Sequence, residues 1–189
     1  NGQWTFPGGV VIRAKHEGKG LSASWFEASK NAGIEIRYGS GALELLQNDK
    51  GKVIGVLSKE KDGLKKLYAK AVILGCGGFE ANSQMRAQYL GEPWDQAKVR
   101  GTSFNQGDGL RMALSIGAMP CGQWTGRHST PIDADWPDFA DRERGDQSNR
   151  LSYSFGIMIN RKGLRFVDEG EDTKLYTYAK FGAEILKQP

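Results

Sequence analysis

The sequence contains a pair of basic residues suited to holding an anion. Arg127 and His128 are neighbours in a polar stretch without hydrophobic periodicity, and the chain has only two histidines in 189 residues. A guanidinium forms paired hydrogen bonds to a carboxylate, and an imidazole changes its charge near neutral pH. The pair therefore predicts a loop that binds a carboxylate, although a structural role for His128 fits the same pattern.

Two glycine-rich segments predict a place where a ligand approaches the backbone. Gly75-Cys76-Gly77-Gly78 directly follows an apolar run, and Gly107-Asp108-Gly109 lies at the start of a predicted helix. Ligands of α/β proteins bind where buried strands end, and a carboxylate at a helix start accepts backbone N–H groups or a ligand hydroxyl. We expect the glycines to let another molecule come close. A plain strand exit and a plain helix cap are the structural alternatives.

Other reactive side chains are better explained by structure. We interpret His16 as a surface residue and Cys76 as a small apolar filler. An acidic cluster, consisting of Asp168, Glu169, Glu171 and Asp172, has no histidine nearby, which favours a solvated turn over a metal site. No metal site is predicted.

The elements that must position these residues alternate between helical and strand periodicity. A loop of residues 1–10 precedes a helix from Leu21 to Ala32, which ends at Gly33. The predicted strands are Ile34–Ile36, Leu43–Leu46, Val53–Leu57, Leu64–Tyr68, the doubly buried Ala69–Leu74, Phe155–Asn160 and Arg165–Val167. The later predicted helices are Asn82–Leu90, one from Leu110 that stops at Gly117, and Thr173–Leu186. This order predicts an α/β fold with an α+β part.

Composition excludes several classes of protein. Lys and Arg exceed Asp and Glu by 26 to 22, a mild excess that does not indicate nucleic acid binding, and Lys59–Lys70 alternates basic with acidic and apolar residues, as expected of a solvated hairpin. No apolar run approaches the roughly 18 residues of a membrane span. The two cysteines fit a reducing cytosol.

Five motifs in order resemble the flavoprotein family of fumarate reductases and succinate dehydrogenases. They are Gly20-Leu21 before a helix, Asp49 to Val56, Ala71 to Phe79, Gly107 to Gly109, and Ile159-Asn160 with Gly163-x-Arg165-Phe166. Within the family, Phe79-Glu-x-Asn82, Met85-Arg86 and Asp168 to Asp172 are most similar to tricarballylate dehydrogenases.

The resemblance implies a fragment of a Rossmann-like FAD-binding domain with an antiparallel β-meander over residues 1–122. Residues 123–189 would be the beginning of the fumarate reductase-type capping domain. The family's Gly-x-Gly-x-x-Gly unit is not found in this sequence. We therefore expect the chain by itself not to retain FAD and to be inactive.

The resemblance also assigns site residues. FAD would be flanked by Ala42, Gly75, Gly77, Gly78 and Gly107 and hydrogen-bonded by Asp108. The substrate would be bound by Arg127, His128, Asn149 and Arg150. The family's proton-transferring arginine falls at Thr173, followed by Lys174, so His128 and Lys174 are the catalytic candidates.

The implied reaction is dehydrogenation of a polycarboxylate, tricarballylate to cis-aconitate, in a cytoplasmic enzyme. Its partner would be a separate electron-acceptor protein or a quinone-linked membrane partner, with which it could associate at the membrane. Two enzymatic alternatives are a fumarate reductase or succinate dehydrogenase-like activity and a 3-ketosteroid dehydrogenase-like activity. A structural or partner-binding module is the non-enzymatic alternative.

Overall fold

The computed structural model describes residues 14–140, 143 and 150–189. The chain forms two compact units, the first being Asn1–Gly41 with Glu60–Gly63 and the second Ala42–Lys59 with Leu64–Pro189. The predicted opening loop at residues 1–10 lies outside the described residues. The division at residue 122 into a cofactor part and a capping part stays a prediction.

The first unit contains helix α1, Glu17–Asn31. It begins four residues before the predicted start and ends where predicted, because Gly33 adopts a φ of +70°, which a glycine does at little cost. The predicted strand Ile34–Ile36 is wrong. The amide of Ile34 instead bonds to the carbonyl of Ser29 and continues the helix end.

The predicted β-meander is confirmed. Strands β1 (Gly41–Gln47), β2 (Val53–Glu60) and β3 (Gly63–Tyr68) form one antiparallel sheet in the order β1-β2-β3. The turn between β1 and β2 is held by Asn48, whose side-chain oxygen accepts the amides of Lys50 at 3.1 Å and Lys52 at 3.0 Å. Asn and Gly in a short connection between two apolar runs were sufficient to predict this hairpin.

The predicted buried strand Ala69–Leu74 is wrong. Residues 71–78 have no regular secondary structure, and Ile73 is 94% exposed. A strand exists only when a neighbouring strand accepts and donates its backbone hydrogen bonds. The Ala69 amide bonds to the Ile54 carbonyl of β2, but within the described residues no strand pairs with residues 70–74. Apolar composition alone therefore did not determine its conformation.

Three helices lie in the described part of the second unit. They are α2 (Ser83–Leu90), α3 (Asp108–Ser115) and α4 (Lys174–Leu186), with short 3-10 turns at Trp94–Gln96 and Ser152–Phe155. The 3-10 turn replaces the start of the predicted strand Phe155–Asn160, and the pairing with Arg165–Val167 is reduced to a single bridge, Ile159 to Arg165. The backbone amides of Lys162 and Leu164 donate to the side-chain oxygen of Asn160. These hydrogen bonds hold a tight turn where two paired strands were predicted.

The buried side chains of the second unit include residues of α3 and α4. Phe181 is fully buried, and Met112 and Thr177 are nearly so. Tyr153 packs edge-on against Phe181 and bonds to the Thr177 hydroxyl at 2.8 Å. α4 is thereby fixed, and it carries one side of the site described below. In the described part of the chain, no helix has the length and apolar character needed to cross a membrane.

Candidate functional site

The two glycine-rich segments lie against each other. The Gly107 amide donates to the Gly78 carbonyl at 3.0 Å. At the first turn of α3, a Cβ on Gly109 would lie 3.0 Å from the Cβ of Cys76. The predicted cofactor-binding segments therefore share one surface of the second unit.

Two of these glycines also pack closely against the chain itself. A Cβ at Gly107 would lie 2.5 Å from the sulfur of Met85 and 3.1 Å from the Cβ of Phe79, and Gly107 has a φ of +83°. The chain's own packing therefore favours glycine at Gly107 and Gly109, and their approach to a ligand stays a prediction. Gly75 differs, because a Cβ there would meet no atom within 4 Å.

Asp108 is the first residue of α3, and the residue that caps the helix is Gly107. The Asp108 side chain is 49% exposed and pairs with Arg111 at 3.2 Å. Arg111 also donates to the carbonyl of Leu43 at 3.4 Å, which brings the Ala42 end of β1 close to the same surface. An accessible carboxylate at a helix N-terminus remains able to accept a ligand hydroxyl.

A cavity of about 920 Å³ is lined both by the end of the first glycine segment and by the predicted carboxylate-binding pair. Its wall includes Gly78 and Phe79 on one side and Arg127 and His128 on another. Next to it, Phe79 stacks on Trp124 with ring centroids 6.3 Å apart. The structure therefore brings together the end of the glycine segment and the two basic residues that the sequence singled out.

Arg127 is held by an aromatic ring. Its guanidinium carbon lies 4.7 Å from the centre of the Trp94 ring, a cation–π distance. The Trp94 carbonyl in turn accepts a 2.7 Å hydrogen bond from Nε of the buried Arg86. The position of Arg127 therefore depends on Trp94, which the sequence analysis did not single out.

His128 is held by α4. Its Nε2 lies 2.9 Å from the Tyr178 hydroxyl, and the two rings meet edge to face with centroids 5.0 Å apart. The next residue, Ser129, donates to the Ala179 carbonyl at 2.9 Å. These contacts fix the imidazole at the cavity wall.

The remaining candidate site residues have no described contact with the cavity. Lys174 begins α4 and lies one turn before Tyr178, so the two side chains leave the helix on the same side. Neither Lys174 nor the half-buried Arg150 is among the described residues that line the cavity. Asn149 lies outside the described residues. The roles of these three residues stay predictions.

Comparison with known proteins gives this arrangement a family. Residues 4–189 match the protein family described as "FAD binding domain". The chain belongs to this family of FAD-binding domains. FAD is therefore its cofactor. The predicted resemblance to the fumarate reductase family is supported, and the narrower resemblance to tricarballylate dehydrogenases stays a prediction.

Its relatives include two kinds of oxidoreductase. A probable fumarate reductase of Shewanella frigidimarina is 30% identical over 96% of this chain and 30% of that protein. A 3-oxosteroid 1-dehydrogenase of Mycolicibacterium smegmatis is 30% identical over 80% of this chain and 26% of that protein. The chain thus spans less than a third of the length of these relatives.

Solved structures agree. The open conformation of a flavocytochrome c3 fumarate reductase superposes with a TM-score of 0.69 and 28% identity, over 93% of this chain and 29% of that one. A 3-ketosteroid Δ1-dehydrogenase from Sterolibacterium denitrificans, in complex with 1,4-androstadiene-3,17-dione, superposes with a TM-score of 0.71 and 26% identity. The match covers 90% of this chain and 30% of that one. The fold is therefore that of an FAD-binding domain of the fumarate reductase type, with a small antiparallel sheet.

The residues of this FAD-binding domain fit the cofactor. Residues 71–77 form an exposed run without regular structure, so their backbone groups are accessible to a ligand. Gly75 leaves open space beside the backbone, and the Asp108 carboxylate lies at the same surface. These groups would hold FAD, and the cavity beyond Gly78 leaves room for a substrate next to it.

Docking of the His128 loop on α4 depends on Gly182. A Cβ at this position would lie 2.6 Å from the carbonyl carbon of Ser129 and from the amide of Thr130, both backbone atoms that cannot move aside alone. We expect Gly182→Ala to destabilise the protein by about 2 kcal/mol, because overpacking outweighs the roughly 1 kcal/mol that alanine gains in a helix. Urea unfolding measures the change.

The matched control is Gly18→Ala in α1, where a Cβ would meet nothing within 4 Å. That variant should be as stable as the unmodified protein or up to about 1 kcal/mol more stable. Equal stabilisation by both substitutions would contradict the close approach of α4 to the His128 loop.

The acidic cluster is occupied by ion pairs. Arg165 contacts Asp168 at 3.2 Å and donates through Nε to the buried Glu169 at 2.9 Å, and Lys180 binds Glu171 at 2.6 Å. Burial raises the pKa of Glu169, but hydrogen bonds from the Met158 amide and Arg165 outweigh it, so the pKa lies below the usual value. Within the described residues no cluster is arranged to hold a metal.

Proposed function

We propose that the protein of which this chain is a part is an FAD-dependent oxidoreductase that acts on a carbon–carbon bond next to carboxylates, with tricarballylate as the preferred substrate and cis-aconitate as the product. The observation that carries the proposal is the cavity wall shared by Gly78 and Phe79 with Arg127 and His128. It supports a carboxylate substrate held beside the cofactor. The family and its fumarate reductase relatives support the class of reaction.

FAD, when bound, supplies a two-electron acceptor for a hydride. The protein's own residues would do the rest. Arg127 and His128 would bind the substrate carboxylates and offset the negative charge that develops when the neighbouring carbon loses its proton. Lys174 is the proposed carrier of that proton, and Asn149 and Arg150 are proposed to bind the substrate further.

The electron balance of the reaction requires a second partner. Each substrate molecule loses one hydride and one proton, so two electrons must leave the protein before the next turnover. A separate electron-acceptor protein or a quinone-linked membrane partner is proposed to accept them, and the proposed location is the cytoplasm.

A steroid substrate is the second candidate. It is supported by the 3-oxosteroid 1-dehydrogenase relative and by an aromatic cluster of Phe79, Tyr89 and Trp124 beside the cavity, with centroids 4.9 to 6.3 Å apart. The two basic residues at the cavity wall favour the carboxylate instead, because a steroid offers them no charge to neutralise.

Titration of the intact, FAD-loaded protein separates the two candidates. Tricarballylate should perturb the visible spectrum of the oxidised flavin in a saturable way, and the affinity should fall as salt is added, because charged groups make the contact. 4-Androstene-3,17-dione should leave the spectrum unchanged. Saturable binding of the steroid with no response to tricarballylate, succinate or fumarate would overturn the proposal in favour of the second candidate.

A further inference from the structure

The inference concerns Tyr178, which no sequence motif singled out and which lies at the His128 imidazole. It rests on the proposed function, because it assigns a role to Tyr178 in how His128 binds a carboxylate. Among the described residues, Nε2 of His128 has a side-chain partner, the Tyr178 hydroxyl at 2.9 Å, and Nδ1 has none. Nδ1 is therefore the ring nitrogen left for a ligand in the cavity.

Tyr178 is held rigidly enough to act on the imidazole. It follows Thr177, which is 2% exposed and bonded to the Tyr153 hydroxyl. On the other side, the carbonyl of Ala179 accepts a hydrogen bond from the hydroxyl of Ser129, the residue after His128. Both rings are thus anchored through their neighbours, and the edge-to-face contact fixes their mutual orientation.

A neutral imidazole carries one proton, and the hydrogen bond made by one nitrogen determines which nitrogen carries it. A hydroxyl can donate or accept. If Tyr178 donates to Nε2 of the neutral ring, the proton must lie on Nδ1, where it can be donated to a carboxylate. When the ring is protonated, both nitrogens donate and the Tyr178 oxygen accepts.

We propose that Tyr178 is a positioning residue that keeps Nδ1 of His128 a hydrogen-bond donor to a substrate carboxylate in both protonation states of the ring. Binding of the substrate by His128 then continues as the pH rises. Without the hydroxyl, no hydrogen bond at Nε2 favours the neutral tautomer that carries its proton on Nδ1. Binding of the substrate carboxylate at high pH is therefore weakened.

Other charged groups lie near His128 in its loop and on α4, or line the same cavity. Their effect on substrate binding must be the same in the variant and the unmodified protein. Arg127 precedes it in its own loop, and Lys174 lies one turn before Tyr178 on α4. The cavity wall also contains Glu80, Arg86, Lys98, Arg100 and Asp133. A ratio between variant and unmodified protein at each pH cancels effects that these groups have equally on both proteins.

The test is Tyr178→Phe in the intact FAD-loaded protein, with Tyr176→Phe as the matched control. Tyr176 lies on the same helix and is 75% exposed. For Tyr178→Phe, we expect KM for tricarballylate to equal that of the unmodified protein at about pH 6 and to be about tenfold higher at about pH 8.5, and kcat to fall only at the higher pH. Tyr176→Phe should match the unmodified protein at both pH values.

Nitrogen-15 NMR of the histidine side chains gives a second readout that needs no turnover. The His128 signal is identified by its loss in His128→Asn, and at high pH it should report Nδ1–H in the unmodified protein and Nε2–H in Tyr178→Phe. An Nε2–H tautomer in the unmodified protein, or a KM ratio independent of pH, would overturn the inference. If the flavin does not respond to carboxylates at all, the proposed function fails, and NMR still decides whether Tyr178 sets the tautomer.

Discussion

Replacing His128 by alanine is expected to lower kcat/KM of the intact protein for its carboxylate substrate about 100-fold. A charge-assisted hydrogen bond contributes about 1.5–3 kcal/mol, and each 1.4 kcal/mol corresponds to a factor of ten. Because the imidazole would also offset charge that develops during proton loss, we expect kcat to fall and KM to rise, whereas a residue that only binds the substrate would change KM alone. Steady-state kinetics with an artificial electron acceptor measure both.

The control for this prediction is the other histidine. His16 lies at the start of α1 in the first unit and has a backbone φ of 60°. Asparagine tolerates that conformation better than alanine does, so His16→Asn is the appropriate substitution and should leave kcat and KM unchanged. Unchanged kcat and KM in His128→Ala would contradict the assigned role.

Replacing Arg86 by methionine is expected to destabilise the protein by about 3 kcal/mol, because a buried acceptor left without a donor costs about 1–3 kcal/mol and a part-buried one costs less. Arg86 is 8% exposed and donates to four backbone carbonyls, those of Glu80, Trp94, Asp95 and Ala97. Burial lowers the pKa of its guanidinium. A loss of this size is a large fraction of the stability of many domains.

Urea unfolding followed by tryptophan fluorescence measures the loss, since Trp94 contacts Arg86 directly. Arg161→Met is the matched control, because Arg161 is exposed in the turn before Gly163, and surface substitutions usually change stability by less than about 0.5 kcal/mol. Equal unfolding midpoints for the two variants would show that the Arg86 network does not hold the loop around Trp94, on which Arg127 depends.

Local signals predicted the parts of the fold that local chemistry determines. The turn at Asn48–Gly51, the hairpin of β2 and β3, and the helix end at Gly33 each follow from residues close in sequence. The run Ala69–Leu74 has the composition of a buried strand, yet a strand depends on a neighbour elsewhere in the fold, and composition does not show whether that neighbour is present.

The candidate site also contains residues that the sequence indicated and residues that it did not. Residue types alone indicated Arg127, His128 and Asp108, because their side chains can bind a carboxylate or a ligand hydroxyl. They did not indicate Tyr178, since its role comes from a contact 50 positions away in sequence. They also did not indicate that the lack of a side chain at Gly107 serves contacts with Met85 and Phe79.

Anaerobic mixing of the intact, FAD-loaded protein with tricarballylate tests the central claim most directly, because it observes the proposed transfer of two electrons without any partner protein. The account predicts that the absorbance of the oxidised flavin bleaches and that cis-aconitate appears in an amount equal to the flavin reduced. An oxidised spectrum that persists with tricarballylate, while 4-androstene-3,17-dione bleaches it, would contradict the account.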